Sequence, residues 1–255
     1  MIDENLSDEI FETAIKSLIL DYRFQTGKVT LWDYNFQLPG KRNNVEQLSR
    51  YSVGGNTELE DYQFPGGYAR KYDGISKGGG ESASDLSKIS VDNQRTIKNR
   101  IEGIDSRYTT IRGLSDCCTL TAGHRFTMKN HPNSEYNMPY ILTSIHHEAD
   151  QNPKYESEEN LTEAYHNSFE CIAHGSGRPE FRPPLNTPKP VMPGSQTAFV
   201  VGPAGEEIFT DKYGRVKVQF HWDRDGKVDS DSSCWVRVAQ TWAGNRWGAM
   251  FIPRI

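Results

Sequence analysis

The chain is short of apolar residues. Of its 255 residues 35% are hydrophobic, and counting the 22 glycines in and the 12 tyrosines out gives about 39%, on a scale where soluble domains run ~45–50%. No stretch approaches the ~18 consecutive apolar residues of a membrane span. The first twenty residues have neither a basic start nor an uninterrupted apolar run, so neither stable membrane insertion nor a signal peptide is expected, and the protein should begin life in the cytoplasm. Cysteine is scarce as well. Four are too few for a disulfide scaffold, and adjacent Cys117 and Cys118 have the wrong spacing for a zinc knuckle. Charge is not concentrated in one sign: 29 Lys plus Arg against 34 Asp plus Glu leave a net −5 without a long run of either, which argues against a duplex nucleic-acid partner. GxSxG, GxGxxG, Walker and HExxH signatures are all missing, so the common nucleophile, dinucleotide, phosphate and zincin chemistries have no local mark.

Proline is present but unevenly placed. Pro179, Pro183, Pro184, Pro188, Pro190 and Pro193 are six of the thirteen prolines. A stretch with so many fixed φ angles and missing donors is neither helix nor central strand. It divides the chain into residues 1–178, a linker over 179–194, and residues 195–255. Gly74 to Asp85, with Gly78, Gly79 and Gly80, reads as a surface loop. Ile97, Ile101, Ile104, Tyr108 and Ile111 recur at helical spacing and predict a helix from about Asp92 to Arg107. Leu6 to Leu20 is also amphipathic, through Ile10, Phe11, Ala14, Ile15 and Leu18.

Most of the remainder alternates as strands do. Strands are expected in Lys28–Phe36, in Tyr140–His147 with Ile141 and Ile145 facing away from Leu142 and His146, and in Tyr165–Ala173 with Tyr165, Phe169 and Cys171 on one side. After the linker, strands are expected at Ala198–Val201, Glu207–Thr210, Gly214–His221, Cys234–Gln240 and Trp247–Ile252. Val216, Val218, Val236 and Val238 should fill the interior. Short strands at such spacing point to a Greek-key barrel, and the fold class is mainly β.

Candidate chemistry is thin. His146, His147 and Glu148 include metal-ligand types, but neighbours on a strand point to opposite faces. Cys171 and His174 supply one short zinc-type spacing where two are usual. Asp223, Asp225, Asp229 and Asp231 around Gly226 have the composition of a calcium loop without its terminal bidentate Glu, and a solvated turn is simpler. Glu206, Glu207 and Asp211 could be drawn as a glycosidase pair, yet acids on neighbouring strand positions commonly protect edges. No cofactor, metal site or catalytic residue is assigned. Trp222, Trp235, Trp242 and Trp247, interleaved with Arg215, Arg224, Arg237, Arg246 and Arg254, suit either stacked single-stranded bases or protein contacts. The even charge balance after Ser195 favours protein contacts, with no nucleic acid.

At these residues the sequence resembles the VgrG family, the spike proteins of type VI secretion systems. The resemblance rests on Val200–Asp211, with Gly202, Glu207 and Asp211, and on the run from Tyr213 through Gly214, Arg215, Trp222 and Asp223 to Arg224. It continues through Cys234, Trp235, Arg237, Trp242, Gly244, Trp247, Gly248, Pro253 and Arg254. Upstream, Asp33, Tyr34, Asn35 and Phe36, the turn Pro65–Tyr68, and Phe181–Pro184 also fit.

The resemblance implies small β-barrels of a phage-hub-like region with one helix over residues 1–178, then the linker and an incomplete OB-fold barrel over 195–255. It implies a homotrimer in the full-length protein and partners in the Hcp tube, a PAAR tip protein and effectors. Assembly would take place in the cytoplasm, followed by secretion through the type VI system. The role would be structural and mechanical rather than enzymatic, with a muralytic or toxin-bearing enzyme and OB-type nucleic-acid binding as the alternatives. Against the family pattern, the first hub barrel, the strands after Ile255 and a β-helical needle are missing, which reads as a fragment. An unpaired edge near Ile255 and poor stability as an isolated monomer are then expected.

Overall fold

The computed structural model describes residues 14–72, 86–149 and 165–255. Residues 6–13 of the opening amphipathic segment and the glycine loop from Gly74 to Asp85 lie outside them. In chain order the strands are β1 (Ile15–Tyr22), β2 (Lys28–Leu31), β3 (Val45–Leu48), β4 (Glu60–Gln63), β5 (Thr109–Ser115), β6 (Arg125–Thr127), β7 (Pro139–Ala149), β8 (Tyr165–Ala173), β9 (Ala198–Val201), β10 (Lys217–Phe220), β11 (Trp242–Gly244) and β12 (Trp247–Ala249). Helix α1 (Ile89–Asp105) falls between β4 and β5. The fold is mainly β, with one α-helix among the described residues. Contacts divide the chain into two compact units. One comprises Met1–Lys28, Leu48–Glu60 and Asn99–Pro184; the other comprises Val29–Gln47, Asp61–Lys98 and Leu185–Ile255.

The first unit is built on a five-stranded antiparallel sheet in the order β1-β5-β8-β7-β6. Asn167, Phe169 and Cys171 of β8 turn inward together, as the two-residue period predicts. Phe169 and Cys171 meet Ile111, Met128, Tyr140 and Leu142, while Ile15, Leu18, Leu20 and Phe126 pack against the same cluster. Burying each large apolar side chain here contributes about 1.5–3 kcal/mol. Gly113 is required where β5 pairs with β8 opposite Phe169, because a Cβ there would strike the Phe169 ring.

Two expectations change in this sheet. Ala14 to Leu20 is not helical: β1 pairs with β5 from Tyr22↔Thr109 to Ile15↔Ser115, and long-range pairing overrides the local amphipathic spacing. Ile145 does not face away from Leu142. The β7–β8 register shifts between Leu142 and Ser144, and the extra residue resets the alternation, so both side chains reach one core.

Helix α1 buries Ile97, Ile101 and Ile104, three of the five residues in the predicted stripe. The other two lie beyond its end, Ile111 within β5. The last turn is closed by the Arg107 side chain, whose Nε donates to the Gly103 carbonyl at 2.9 Å. Buried Glu102 holds the start of the proline-rich segment: Arg182 donates to its Oε2 from Nε at 3.0 Å and Nη2 at 2.8 Å. From Pro183 to Thr197 the chain has no helix or strand and is exposed.

In the second unit the β2 run stops at Leu31 rather than Phe36, and the chain turns. Beyond the proline-rich segment, β9 pairs with β10 and β11 with β12. The strands expected at Glu207–Thr210 and Cys234–Gln240 do not form. Val216 and Val236 exchange backbone bonds at 2.9 and 2.8 Å, but the next donor, Val218 N–H, goes to Ser233 Oγ at 2.9 Å and the ladder ends after one bridge. Strand β12 likewise ends at Ala249, short of the expected Ile252. Ile255, where an unpaired edge is expected, donates its N–H to the Glu207 carbonyl at 3.0 Å.

The four valines expected inside do not share the interior equally. Val216 is buried and the other three are half-buried, whereas Arg215, Lys217 and Gln219 are deeply buried. This polar row is bonded in place. Lys217 lies over the Trp235 ring, and Gln219 Nε2 donates to the Asp223 carbonyl at 2.9 Å.

Candidate functional site

The motif residues assemble into two clamps in the second unit. The first joins Asp33 and Asn35 to the Pro65–Tyr68 turn. Asp33 Oδ2 accepts the Ala69 N–H at 2.8 Å, and Asn35 Nδ2 donates to the Ala69 carbonyl at 3.1 Å. Both backbone groups of one residue are thus held by side chains 34 and 36 positions away. Tyr68 is 2% exposed and donates to the carbonyls of Leu31 and Asn43. Burial pushes its hydroxyl up to about 12, so it remains a donor throughout the physiological range. Tyr34 alternates outward and is exposed.

The second clamp starts at Asp211. Its Oδ1 accepts the N–H groups of Tyr213 and Arg215, each at 2.9 Å, and its Oδ2 accepts Arg215 Nε at 2.6 Å. Gly214, at φ +70°, supplies the left-handed residue that brings Arg215 back over Asp211. The Arg215 and Asp211 side chains are 2% and 4% exposed, a buried ion pair. The guanidinium lies 5.2 Å from the Phe36 ring centre and 5.3 Å from that of Tyr213, and the two rings meet edge to face at 4.8 Å. Exposed Arg237 covers Phe36 at 4.8 Å. Together with Val238 and Gln240 these groups border a cavity of about 310 Å³. Arg215 and Arg237 therefore both lie against the Phe36 ring, and Arg215 joins a motif 179 residues away in the sequence.

The remaining motif residues serve other local contacts. Gly202 leaves room for the side chains of Ile255 and Phe209. Glu207 and Arg254 form an exposed pair at 3.6 Å beside exposed Pro253. Asp223 Oδ1 accepts the N–H groups of Asp225 and Gly226 at 3.1 Å, the geometry of an Asx turn, and Arg224 is exposed next to it. Trp222 stacks on Phe220 and donates to Gln196. Half-buried Trp235 packs on Phe209, next to half-buried Cys234. Trp242 and Trp247 meet across β11–β12, where Gly244 and Gly248 lie against their rings and backbone.

Among the described residues no group of three or more His, Cys, Asp or Glu is placed to hold a metal ion. Cys171 belongs to the core of the first unit, and burial pushes its thiol up to about 12. His146 and Glu148 do share a face, with His166 of β8 opposite. His146 Nε2 lies 3.3 Å and His166 Nε2 2.8 Å from the Glu148 carboxylate. No helix among the described residues is long and apolar enough to cross a membrane.

The chemistry of both clamps is that of fastening. Carboxylates and guanidinium are taken up by backbone amides, each other and aromatic faces, within a fold that is mainly β. The chain belongs to the phage tail baseplate hub (GPD) family, whose model matches residues 3–153. Residues 206–255 match the type VI secretion system/phage-baseplate injector OB domain. The type VI secretion system spike protein VgrG1b of Pseudomonas aeruginosa is 36% identical over 232 residues, covering 91% of this chain and 28% of that protein. The spike protein VgrG4b of the same organism is 35% identical over 253 residues, covering 96% and 29%. The resemblance to the VgrG family read from the motifs is borne out by these relatives, of whose length the chain spans under a third. Among solved structures, the E. coli c3393 protein is described as a component of the type VI secretion system with structural similarity to T4 bacteriophage tail proteins gp27 and gp5. It matches with a TM-score of 0.40 at 20% identity, over 60% of this chain and 36% of that one.

Proposed function

We propose that the chain is the structural base of a type VI secretion spike, forming a trimeric hub between the Hcp tube and a puncturing needle and passing effectors outward. In this reading the hub-like region covers 1–178, the proline-rich linker 179–194 and the OB-fold spike domain 195–255. Assembly takes place in the cytoplasm and export follows through the same machine, with a PAAR tip protein at the far end. The motif residues fasten the scaffold instead of reacting. The observation that carries this reading is the Phe36–Asp211–Arg215–Arg237 clamp, because it spends the most distinctive charged and aromatic residues of both family segments on internal support.

A graft tests it. The corresponding segment of a VgrG spike protein is replaced by this chain, and Hcp release and the mass of the hybrid are measured. A trimer that restores Hcp release is expected, together with loss of both in the Arg215→Met hybrid. A folded hybrid that remains monomeric and does not associate with Hcp overturns the reading.

A further inference from the structure

The sheet of the first unit has two edges, β1 and β6, at opposite ends of its strand order. Both border one cavity of about 670 Å³: Ile15, Lys16 and Leu18 stand on one side, and Met128, Lys129 and His131 on the other. Ile15, Leu18 and Met128 also belong to one core cluster. The sheet therefore curls far enough for its edges to share side-chain packing, while no strand among the described residues joins them. A gap flanked by two strand edges with an apolar floor is a seat for an extended chain, whose backbone groups pair with an edge while alternate side chains enter the floor.

The charge of the rim selects among such chains. Lys16, paired with Asp116 at 3.9 Å, and exposed Lys129 stand on opposite sides, and among the described residues no carboxylate lines the cavity, the nearest being Asp116, which accepts the Ala14 N–H from behind the rim. Lysines on open edges discourage pairing with other chains unless the incoming strand sets opposite charges against them. We propose that this gap is the docking groove for an extended acidic segment of a partner protein, which adds as a strand between β1 and β6. The inference rests on the curl of the sheet and not on the spike reading above.

The experiment uses the full chain and a fluorescein-labelled peptide of alternating Glu and Val, followed by anisotropy and amide hydrogen exchange. Saturable binding is expected, with slowed exchange confined to residues 15–18 and 127–129. Lys129→Glu should weaken binding about threefold, the effect of one exposed charge pair. Methylating the peptide's backbone nitrogens should weaken it about tenfold, the loss of one or two backbone bonds. Absence of binding by protein with an unchanged circular dichroism spectrum overturns the proposal, and so does equal binding of a control peptide of alternating Lys and Val. Protection elsewhere also overturns it. If the same amides are protected without peptide as the protein dimerises, a second copy is the occupant and the acidic partner is excluded.

Discussion

Arg215 carries a charge that is almost wholly removed from water, so its stability depends on what surrounds it. Asp211 supplies the counter-charge, and Phe36 and Tyr213 supply ring faces. Removing one member of such a pair strands the other, whereas removing both leaves no uncompensated charge, only the Tyr213 and Arg215 amides that Asp211 Oδ1 accepts. Asp211→Ala is expected to lower the unfolding free energy by about 3–5 kcal/mol, and Arg215→Met by a similar amount. The double variant should recover the part of the loss that comes from the stranded charge but not the part from the two uncapped amides, and urea denaturation of all four proteins gives the coupling. Additive losses would show that the pair is not a unit. The cysteines separate just as sharply. Burial holds the Cys171 thiol at about 12, while Cys118 is exposed. At pH 8 iodoacetamide should label Cys118 in the native protein and reach Cys171 only after unfolding, as peptide mass mapping will show. Sequence alone picked out Asp33, Asn35, Phe36, Asp211 and Arg215 as types in motifs. What each touches was not legible, because Ala69 and Phe36 lie far along the chain from the groups that hold them.

The elements differ in how much local information specifies them. Helix α1 was legible because its stripe of isoleucines has only one geometry that buries it, and β8 because it alternates from Tyr165 to Cys171. Strand β7 was only half legible: a bulge resets its alternation, and no residue type marks that position. The Cys234–Gln240 segment looked like a strand because its valines alternate, yet a serine hydroxyl diverts the next amide. At the end of α1, Asp105 is 2% exposed, accepts Ser49 Oγ at 2.5 Å and takes the Arg50 N–H at 3.2 Å. Burial raises its carboxyl above the ordinary 3.8, outweighing those two hydrogen bonds. The folded state therefore keeps this proton to a higher pH than the unfolded chain. Stability from this group is greatest below the ordinary value and falls as pH rises through the window up to the raised one. Subtracting the Asp105→Asn unfolding free energies from those of the unsubstituted protein should give a curve that descends with pH across that window. A flat or rising curve refutes the assignment.

At the scale of the whole molecule, low apolar content coexists with many large apolar side chains left in contact with water. Trp222, Trp242 and Trp247 are 59%, 67% and 58% exposed, and Phe199 and Phe251 are each 61% exposed. Which of these rings stay exposed was not legible from the sequence, in which tryptophans between arginines suited a core or a contact surface ahead of a base-stacking one. Contact surfaces are enriched in tryptophan, and arginine accompanies it there. If the proposed trimer covers these indoles, their environment must depend on protein concentration. Acrylamide should quench the fluorescence of a dilute sample efficiently, and quenching should fall, with a shift of emission to the blue, as the mass by light scattering rises toward three chains. Trp242→Phe and Trp247→Phe should each remove part of that change, while Trp235→Phe should leave it intact, because Trp235 already packs on Phe209 beneath Lys217. A trimeric mass with undiminished quenching would place the contact elsewhere on the chain and leave the tryptophans for another partner.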